Sequence, residues 1–240
     1  MSELYIVATP IGNLGDITYR AIETFKSVDY VAAEDTRHTL QLLNHFEIKK
    51  PMISCRAQNE AEVSKKIIAL LEEGKNIAFA SDAGTPGISD PGAVLVTEVR
   101  KAGFNVVPIP GASAFATLVS VAGTGGKTII FEGFLSPKSG RRKNRVKELL
   151  LTGSAFILYE SPYRIVKLLT DIADIDSERR VVVGRELTKL HEEIVDGSAK
   201  DVLETFASRT KILGEFAIFV SGTKNAQLLE DIADNYSKER

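Results

Sequence analysis

Cysteine is all but missing from this sequence. Cys55 stands alone, so no disulfide can close within the chain, and a reducing cytosol is the expected setting. Histidine is nearly as scarce: His38, His45 and His191 are scattered, and with one cysteine they do not compose a structural zinc site, so no metal is expected. Long apolar runs are absent, none approaching the roughly 20 residues that cross a bilayer. The opening Met1-Ser2-Glu3-Leu4-Tyr5-Ile6-Val7 has no basic stretch ahead of its apolar run and is not read as a signal peptide. Charge of one sign is not in excess either. With 30 basic against 32 acidic residues the net charge is −2, so any affinity for nucleic acid must come from local patches. What is present is 240 residues, 44% hydrophobic and 26% charged, the composition of a soluble globular protein with room for two modest domains.

In the first half, short apolar runs alternate with stretches of helical period. Leu4 to Ala8, Tyr30 to Ala33, Ile77 to Ala80 and Val106 to Ile109 read as strands. Ala21, Ile22, Phe25 and Val28 share a helical face, as do Val63, Ile67, Leu70 and Leu71, and a further helix runs from Val94 to Gly103. Strand alternating with helix predicts an α/β fold with a mostly parallel sheet covered on both faces. The glycine-rich Ala122-Gly123-Thr124-Gly125-Gly126 predicts a joint, with domains over 1–122 and 127–240. Beyond it, Thr128 to Phe131, Ala155 to Tyr159, Arg180 to Val183 and Phe216 to Val220 read as strands, and residues 141–151, 162–173, 199–207 and 225–235 as helices. The strand from Arg180 and the segment around Glu192 to Val195 are expected to pair antiparallel, giving a mixed second sheet.

Three first-half strands end in loops of small residues: Thr9-Pro10-Ile11-Gly12-Asn13, Ser81-Asp82-Ala83-Gly84-Thr85-Pro86 and Pro110-Gly111-Ala112-Ser113-Ala114. Ligands of open α/β sheets sit outside the carboxyl ends of the strands, and small residues let a ligand reach the main chain. Each loop alone is equally a tight turn. Neither the dinucleotide fingerprint nor the Walker pattern is matched: Gly126-Lys127-Thr128 supplies only the end of the latter and precedes a strand. Ala33-Glu34-Asp35-Thr36-Arg37, after another strand, offers two carboxylates and a guanidinium for base work or phosphate recognition, or simply a helix cap. From Lys138 to Lys147 six of ten residues are basic and none acidic. A phosphate backbone is the partner that such a single-sign run suits, against the alternative of a solvated helix start.

Taken together, Leu4 to Leu14, Ala33-Glu34-Asp35-Thr36-Arg37, Ser81-Asp82-Ala83-Gly84-Thr85-Pro86, Gly133-Phe134-Leu135, Tyr159-Glu160-Ser161, Arg185-Glu186-Leu187-Thr188-Lys189 and Gly214-Glu215 resemble the ribosomal RNA small subunit methyltransferase I family. The motifs occur in order from residue 4 to about 220. The resemblance implies the tetrapyrrole-methylase-like fold, two α/β domains with S-adenosylmethionine in the cleft between them, usually as cytoplasmic homodimers. It also implies 2′-O-methylation of a cytidine in the decoding region of 16S ribosomal RNA, with the RNA held within the small ribosomal subunit. By motif position, Pro10, Gly12, Asp82, Ala83, Gly84 and Thr85, with Ser113 and Ala114, would line the cofactor cleft. Tyr159, Glu160, Gly214, Glu215 and Phe216 would close over it. Candidates for a general base are Glu34, Asp35, Glu186 and Lys189, with Lys189 and Glu34 ahead, while Arg37 would anchor a phosphate or base. Lys138, Arg141, Arg142, Lys143 and Arg145 would bind RNA. The chain departs from the family pattern at Ser54-Cys55-Arg56-Ala57-Gln58, where a histidine is expected, and at the Gly123 to Gly126 joint, which lacks Leu-Pro. Two other readings stay open: a methyltransferase of the same fold acting on a tetrapyrrole or other small molecule, and a non-catalytic RNA-binding assembly factor.

Overall fold

The structure is a computed structural model, which describes residues 2–123, 126–223, 229, 230 and 232. The chain divides between Ser113 and Ala114 into two compact units. In the first, β1 (Glu3–Val7), α1 (Tyr19–Ser27), β2 (Tyr30–Ala33), α2 (Thr36–His45), β3 (Met52–Ser54), α3 (Glu60–Glu72), β4 (Ile77–Ala80), α4 (Ala93–Lys101) and β5 (Asn105–Ile109) alternate along the chain. The five strands lie in the order β3-β2-β4-β1-β5, and every pairing is parallel. Central β4 shows why: all four residues of Ile77-Ala78-Phe79-Ala80 are buried, as a strand covered on both faces requires. Leu4, Ile67, Leu71, Phe79, Leu95 and Val99 pack on one face, whereas Val7, Phe25, Val31 and Leu43 pack on the other.

The second unit runs α5 (Ala114–Ala122), β6 (Ile129–Phe134), α6 (Ser139–Leu151), β7 (Ala155–Glu160), α7 (Ile165–Ile175), β8 (Arg180–Arg185), β9 (Glu193–Ser198), α8 (Ala199–Ala207) and β10 (Phe216–Val220). Its sheet has the order β6-β7-β10-β8-β9. β6 and β7 are parallel, while β10 runs against both of its neighbours and β9 against β8, so the sheet is mixed. Val146, Leu150, Leu168, Ile172, Val202 and Phe206 from the helices cover one face through Phe156, Leu158, Val181, Val183 and Ile218. The β8–β9 pairing includes Val183 opposite Val195, in the antiparallel sense expected from the sequence.

Two elements were not anticipated. β3 is three residues at the sheet edge directly after Pro51, too short to show a pattern. α5 is apolar on nearly every side and therefore carries no helical period. It belongs to the second unit, where Leu118 packs close against Gly184, so the division of the chain falls before α5 and not at the glycine-rich joint. Most of the helix expected over 225–235, and residues 124 and 125 of the joint, lie outside the described residues.

Candidate active site

At the carboxyl edge of the first sheet, the loops are joined to one another by hydrogen bonds that each involve at least one backbone atom. Thr9 N donates to Gly84 O at 2.9 Å and Gly84 N returns a bond to Thr9 O at 3.0 Å. The Thr85 hydroxyl donates to Ala112 O at 3.1 Å, Asp35 N to Asp82 Oδ1 at 2.9 Å, and Asp82 N to Glu34 Oε2 at 3.4 Å. Such close main-chain contact needs small residues. Gly84, at φ +79°, would bring a Cβ to within 3.2 Å of Ile11 Cγ2. The loops bearing Pro10, Gly12, Glu34, Asp35, Asp82, Ala83, Gly84 and Thr85 thus form one connected surface, and Pro10, Gly12 and Asp82 share a hollow of about 290 Å³. Ser113 ends this unit and Ala114 opens α5 in the other.

The far end of the 81–92 loop is held by a residue that sequence reading missed. Buried Glu60 uses Oε1 to accept from Gly92 N at 2.8 Å and Leu95 N at 2.9 Å, capping α4 from the first turn of α3. Gly92 has no side chain to do this itself. The carboxylates on this surface are unequal. Burial pushes Glu34 upward, and the Asp82 charge adds to it. Burial also raises Asp90, with a Ser81 hydrogen bond opposing and the Asp82 charge reinforcing. Asp35 goes the other way: Arg37 binds it through Nε at 3.1 Å and Nη2 at 2.6 Å and holds it far below the ordinary range. Asp35 also caps α2 by accepting from Arg37 N at 2.9 Å. The Cys55 thiol is buried and pushed up to about 12 by that burial, with Glu60 and Glu34 adding, which leaves it unreactive.

The carboxyl edge of β7 and β8 in the second unit is built from side chains. Glu160, Phe216 and Arg185 form one row across β7, β10 and β8. Lys189 Nζ donates to Glu186 Oε1 at 3.0 Å and to Glu215 Oε2 at 2.9 Å. Burial works against the Lys189 charge, but the two carboxylates outweigh it and raise its pKa. Burial likewise acts to raise Glu186, yet the Glu215 amide and Lys189 hold it below its ordinary value. Glu186 and Thr188 are in the left-handed region at φ +51° and +68°, a costly conformation for residues with side chains. Gly214, at φ +99°, makes room for this turn, since a Cβ there would stand 2.5 Å from Glu186 Cγ. Tyr159 lies edge-on between Phe131 and Phe134, with ring centroids 5.2 and 5.8 Å away. Glu160 Oε1 accepts from Ser161 N and Arg164 Nε, both at 2.7 Å, but Oε2 is buried with no partner among the described residues, as is Thr188 Oγ1. A larger hollow of about 570 Å³, lined by Lys127, Gly153 and Arg180 among others, opens at the opposite ends of these strands and holds none of the expected site residues.

The basic segment needs a correction. Arg142 is buried and pairs with Asp171, Nε to Oδ2 at 2.6 Å, so its charge is consumed inside the unit and does not face a phosphate. Arg145 is taken up by Glu132 and Glu148, and Lys143 by Asp174 at 3.0 Å. Lys138 and Arg141 stand exposed without an ion pair among the described residues. The acids responsible are distant in sequence, except Glu148 and Glu132, and this is why the run reads as unneutralised.

Residues 3–203 match the model of the Tetrapyrrole (Corrin/Porphyrin) Methylases. A protein of Borrelia garinii named "Ribosomal RNA small subunit methyltransferase I" is 47% identical over 91% of this chain and 98% of its own length. One of Thermotoga maritima with the same name is 45% identical over 92% of this chain and 99% of its own. The chain belongs to the ribosomal RNA small subunit methyltransferase I family, within the tetrapyrrole methylases. Solved structures of a cobalt precorrin-4 methyltransferase and of a diphthine synthase share the fold at TM-scores of 0.67 and 0.70, with 16% and 14% identity. The former alignment covers 95% of both chains, the latter 97% of this chain and 95% of the other. Among the described residues no helix is long and apolar enough to cross a membrane, and no cluster of three His, Cys, Asp or Glu side chains is placed to hold a metal.

Proposed function

We propose that this protein transfers a methyl group from S-adenosylmethionine to the ribose 2′-oxygen of a cytidine in the decoding region of 16S ribosomal RNA. The observation that carries this reading is the 47% identity, over 91% of the chain, to a relative named for methylating small-subunit ribosomal RNA. In this reading the protein works in the cytoplasm, as a homodimer, on the small ribosomal subunit.

The residues present fit the methyl donor. A buried carboxylate oxygen without a partner, Glu160 Oε2, and a buried hydroxyl in the same state, Thr188 Oγ1, suit a ligand rich in amino and hydroxyl groups. Tyr159, Glu160, Gly214, Glu215 and Phe216 would hold it from the second unit; Pro10, Gly12, Asp82, Ala83, Gly84, Thr85, Ser113 and Ala114 would do so by motif position. When bound, S-adenosylmethionine supplies an electrophilic methyl on a sulfonium.

The chain's own contribution is to place a ribose hydroxyl and take its proton. Alignment of this kind lowers a barrier by roughly 7 to 11 kcal/mol, and a general base adds about 100- to 10,000-fold. Of the base candidates, Glu34 has its pKa raised toward the working range, first by burial. Asp35 is committed to Arg37, and Lys189 to two carboxylates that keep it protonated. Glu34 therefore takes the proton in this account. Lys189 and Glu186 brace the turn beside Gly214, and Arg37, with Lys138 and Arg141, engages phosphates.

The test is transfer of labelled methyl from S-adenosylmethionine to small ribosomal subunits that lack the modification, followed by nucleoside digestion. Label on the 2′-oxygen of one cytidine supports the proposal. Transfer to another atom, or to a small tetrapyrrole and not to RNA, contradicts it.

A further inference from the structure

The hollow of about 290 Å³ in the first unit includes Pro10, Gly12 and Asp82 from the loops assigned to the methyl donor, but the rest of its lining is not used by the transfer chemistry. One wall is α2, which presents His38, Gln41, Leu42 and His45 at helical spacing, so that all four share a face. The loop after β1 also lines the hollow, through the apolar Pro10 and Leu14 among others. Thr9 also lines it. This threonine is 3% exposed, and its hydroxyl has no hydrogen-bond partner among the described residues. A buried polar group left unpaired costs about 1 to 3 kcal/mol, so it calls for a ligand atom.

We infer that this hollow receives one unstacked nucleobase of the acceptor strand, and that it favours cytosine over uracil. The inference rests on the acceptor being RNA. Single-stranded bases are recognised by apolar and aromatic surfaces against their faces and hydrogen bonds to their edges. Leu14, Leu42 and Pro10 supply the first; Gln41, with both a donor and an acceptor, and the Thr9 hydroxyl supply the second. The hollow is at the lower end of the usual ligand-pocket range of about 300 to 1,000 Å³, which suits one base and not a run of them. Asp82, on the rim, decides between pyrimidines. A carboxylate oxygen accepts hydrogen bonds, so it welcomes the exocyclic amino group of cytosine and not the carbonyl that uracil carries at that position. Asp82 is fixed for this by the bond its Oδ1 accepts from Asp35 N. Its loop is also one of those assigned above to the methyl donor, so a base seated here has its ribose close to that loop.

The two histidines make the site observable without turnover, because the third, His191, lies between β8 and β9 in the other unit and serves as a reference. Imidazole proton resonances, assigned with single His→Gln variants, would be followed by NMR during titration with three uridine-flanked RNA pentanucleotides. These carry cytosine, uracil or no base at the centre. The expected result is a saturable shift of His38 and His45 with His191 unmoved, and binding about fivefold or more tighter for the cytosine oligonucleotide than for the other two. Gln41→Leu, at an exposed position, should weaken the cytosine oligonucleotide about fivefold to tenfold with S-adenosylmethionine affinity unchanged, and Thr9→Val should weaken the same oligonucleotide. Equal shifts from all three oligonucleotides, or none, overturn the proposal. So does an equal loss of S-adenosylmethionine affinity in Gln41→Leu, which would assign the hollow to the methyl donor. These shifts in a protein that transfers no methyl to ribose would sink the functional reading and leave the base site standing; methylation without them would do the reverse.

Discussion

The two sheet edges solve the same problem by different means. On the first, the loops after β1 and β4 meet through the paired backbone bonds of Thr9 and Gly84, and the Thr85 hydroxyl and the Asp82 and Glu34 carboxylates tie the neighbouring loops to backbone atoms. On the second, the turn after β8 keeps its shape through Lys189, Glu186 and Glu215, with two residues in left-handed conformations. A scaffold made of main chain tolerates changes of side chain but not added bulk. One made of ion pairs and strained backbone is open to disruption from any member, and stored strain of this kind belongs to functional turns.

Adding a methyl group at Gly214 should break the second edge most severely. Gly214→Ala must push Glu186 aside, and should cost about 1 to 3 kcal/mol in denaturant unfolding and a hundredfold or more in methyl transfer. The first edge should respond less to loss of its anchor. Glu60→Ala leaves the Gly92 and Leu95 amides uncapped and should cost about 1 to 3 kcal/mol, while Glu60→Gln, which keeps an acceptor, should recover most of it by the same measurement.

Glu34→Gln sharpens the contrast between stability and chemistry. Because the folded pKa of Glu34 lies above its ordinary 4.5, the folded state gains relative stability below that value and loses it as the pH rises through the raised one. The glutamine variant should therefore unfold at higher denaturant than the parent at neutral pH, and at the same concentration below about pH 4, while its turnover falls with cofactor saturating. A parent that is more stable than the variant at neutral pH would show that Glu34 is structural.

The smallest effect is expected in the basic segment. Arg141→Ala and Lys138→Ala should each lower the slope of log affinity for RNA against log salt by about 1, with no change in unfolding. A phosphate role for buried Arg142 would appear as the same slope change in Arg142→Met, which is not expected.

Much of this arrangement was legible in the sequence because it is local. The apolar runs Ile77 to Ala80 and Phe216 to Val220 announced fully buried strands, and the small residues around Gly84 announced loops in close contact. The features that escaped depend on partners far along the chain. Glu60 caps an amide 32 residues away and Arg142 meets an aspartate 29 residues away, and no spacing rule carries either pairing. α5 escaped for another reason: a helix apolar on nearly all sides has no period to detect. At Asp35 the bland expectation, a helix cap, is what the geometry shows, and it coexists with the ion pair to Arg37.

The most direct measurement is mass spectrometry of digested 16S ribosomal RNA from cells deleted for this protein and then complemented with it. The account predicts that one 2′-O-methylcytidine in the decoding region disappears on deletion, returns with the parent protein and stays absent with Gly214→Ala. An unchanged set of methylated nucleosides in the deleted cells would contradict it.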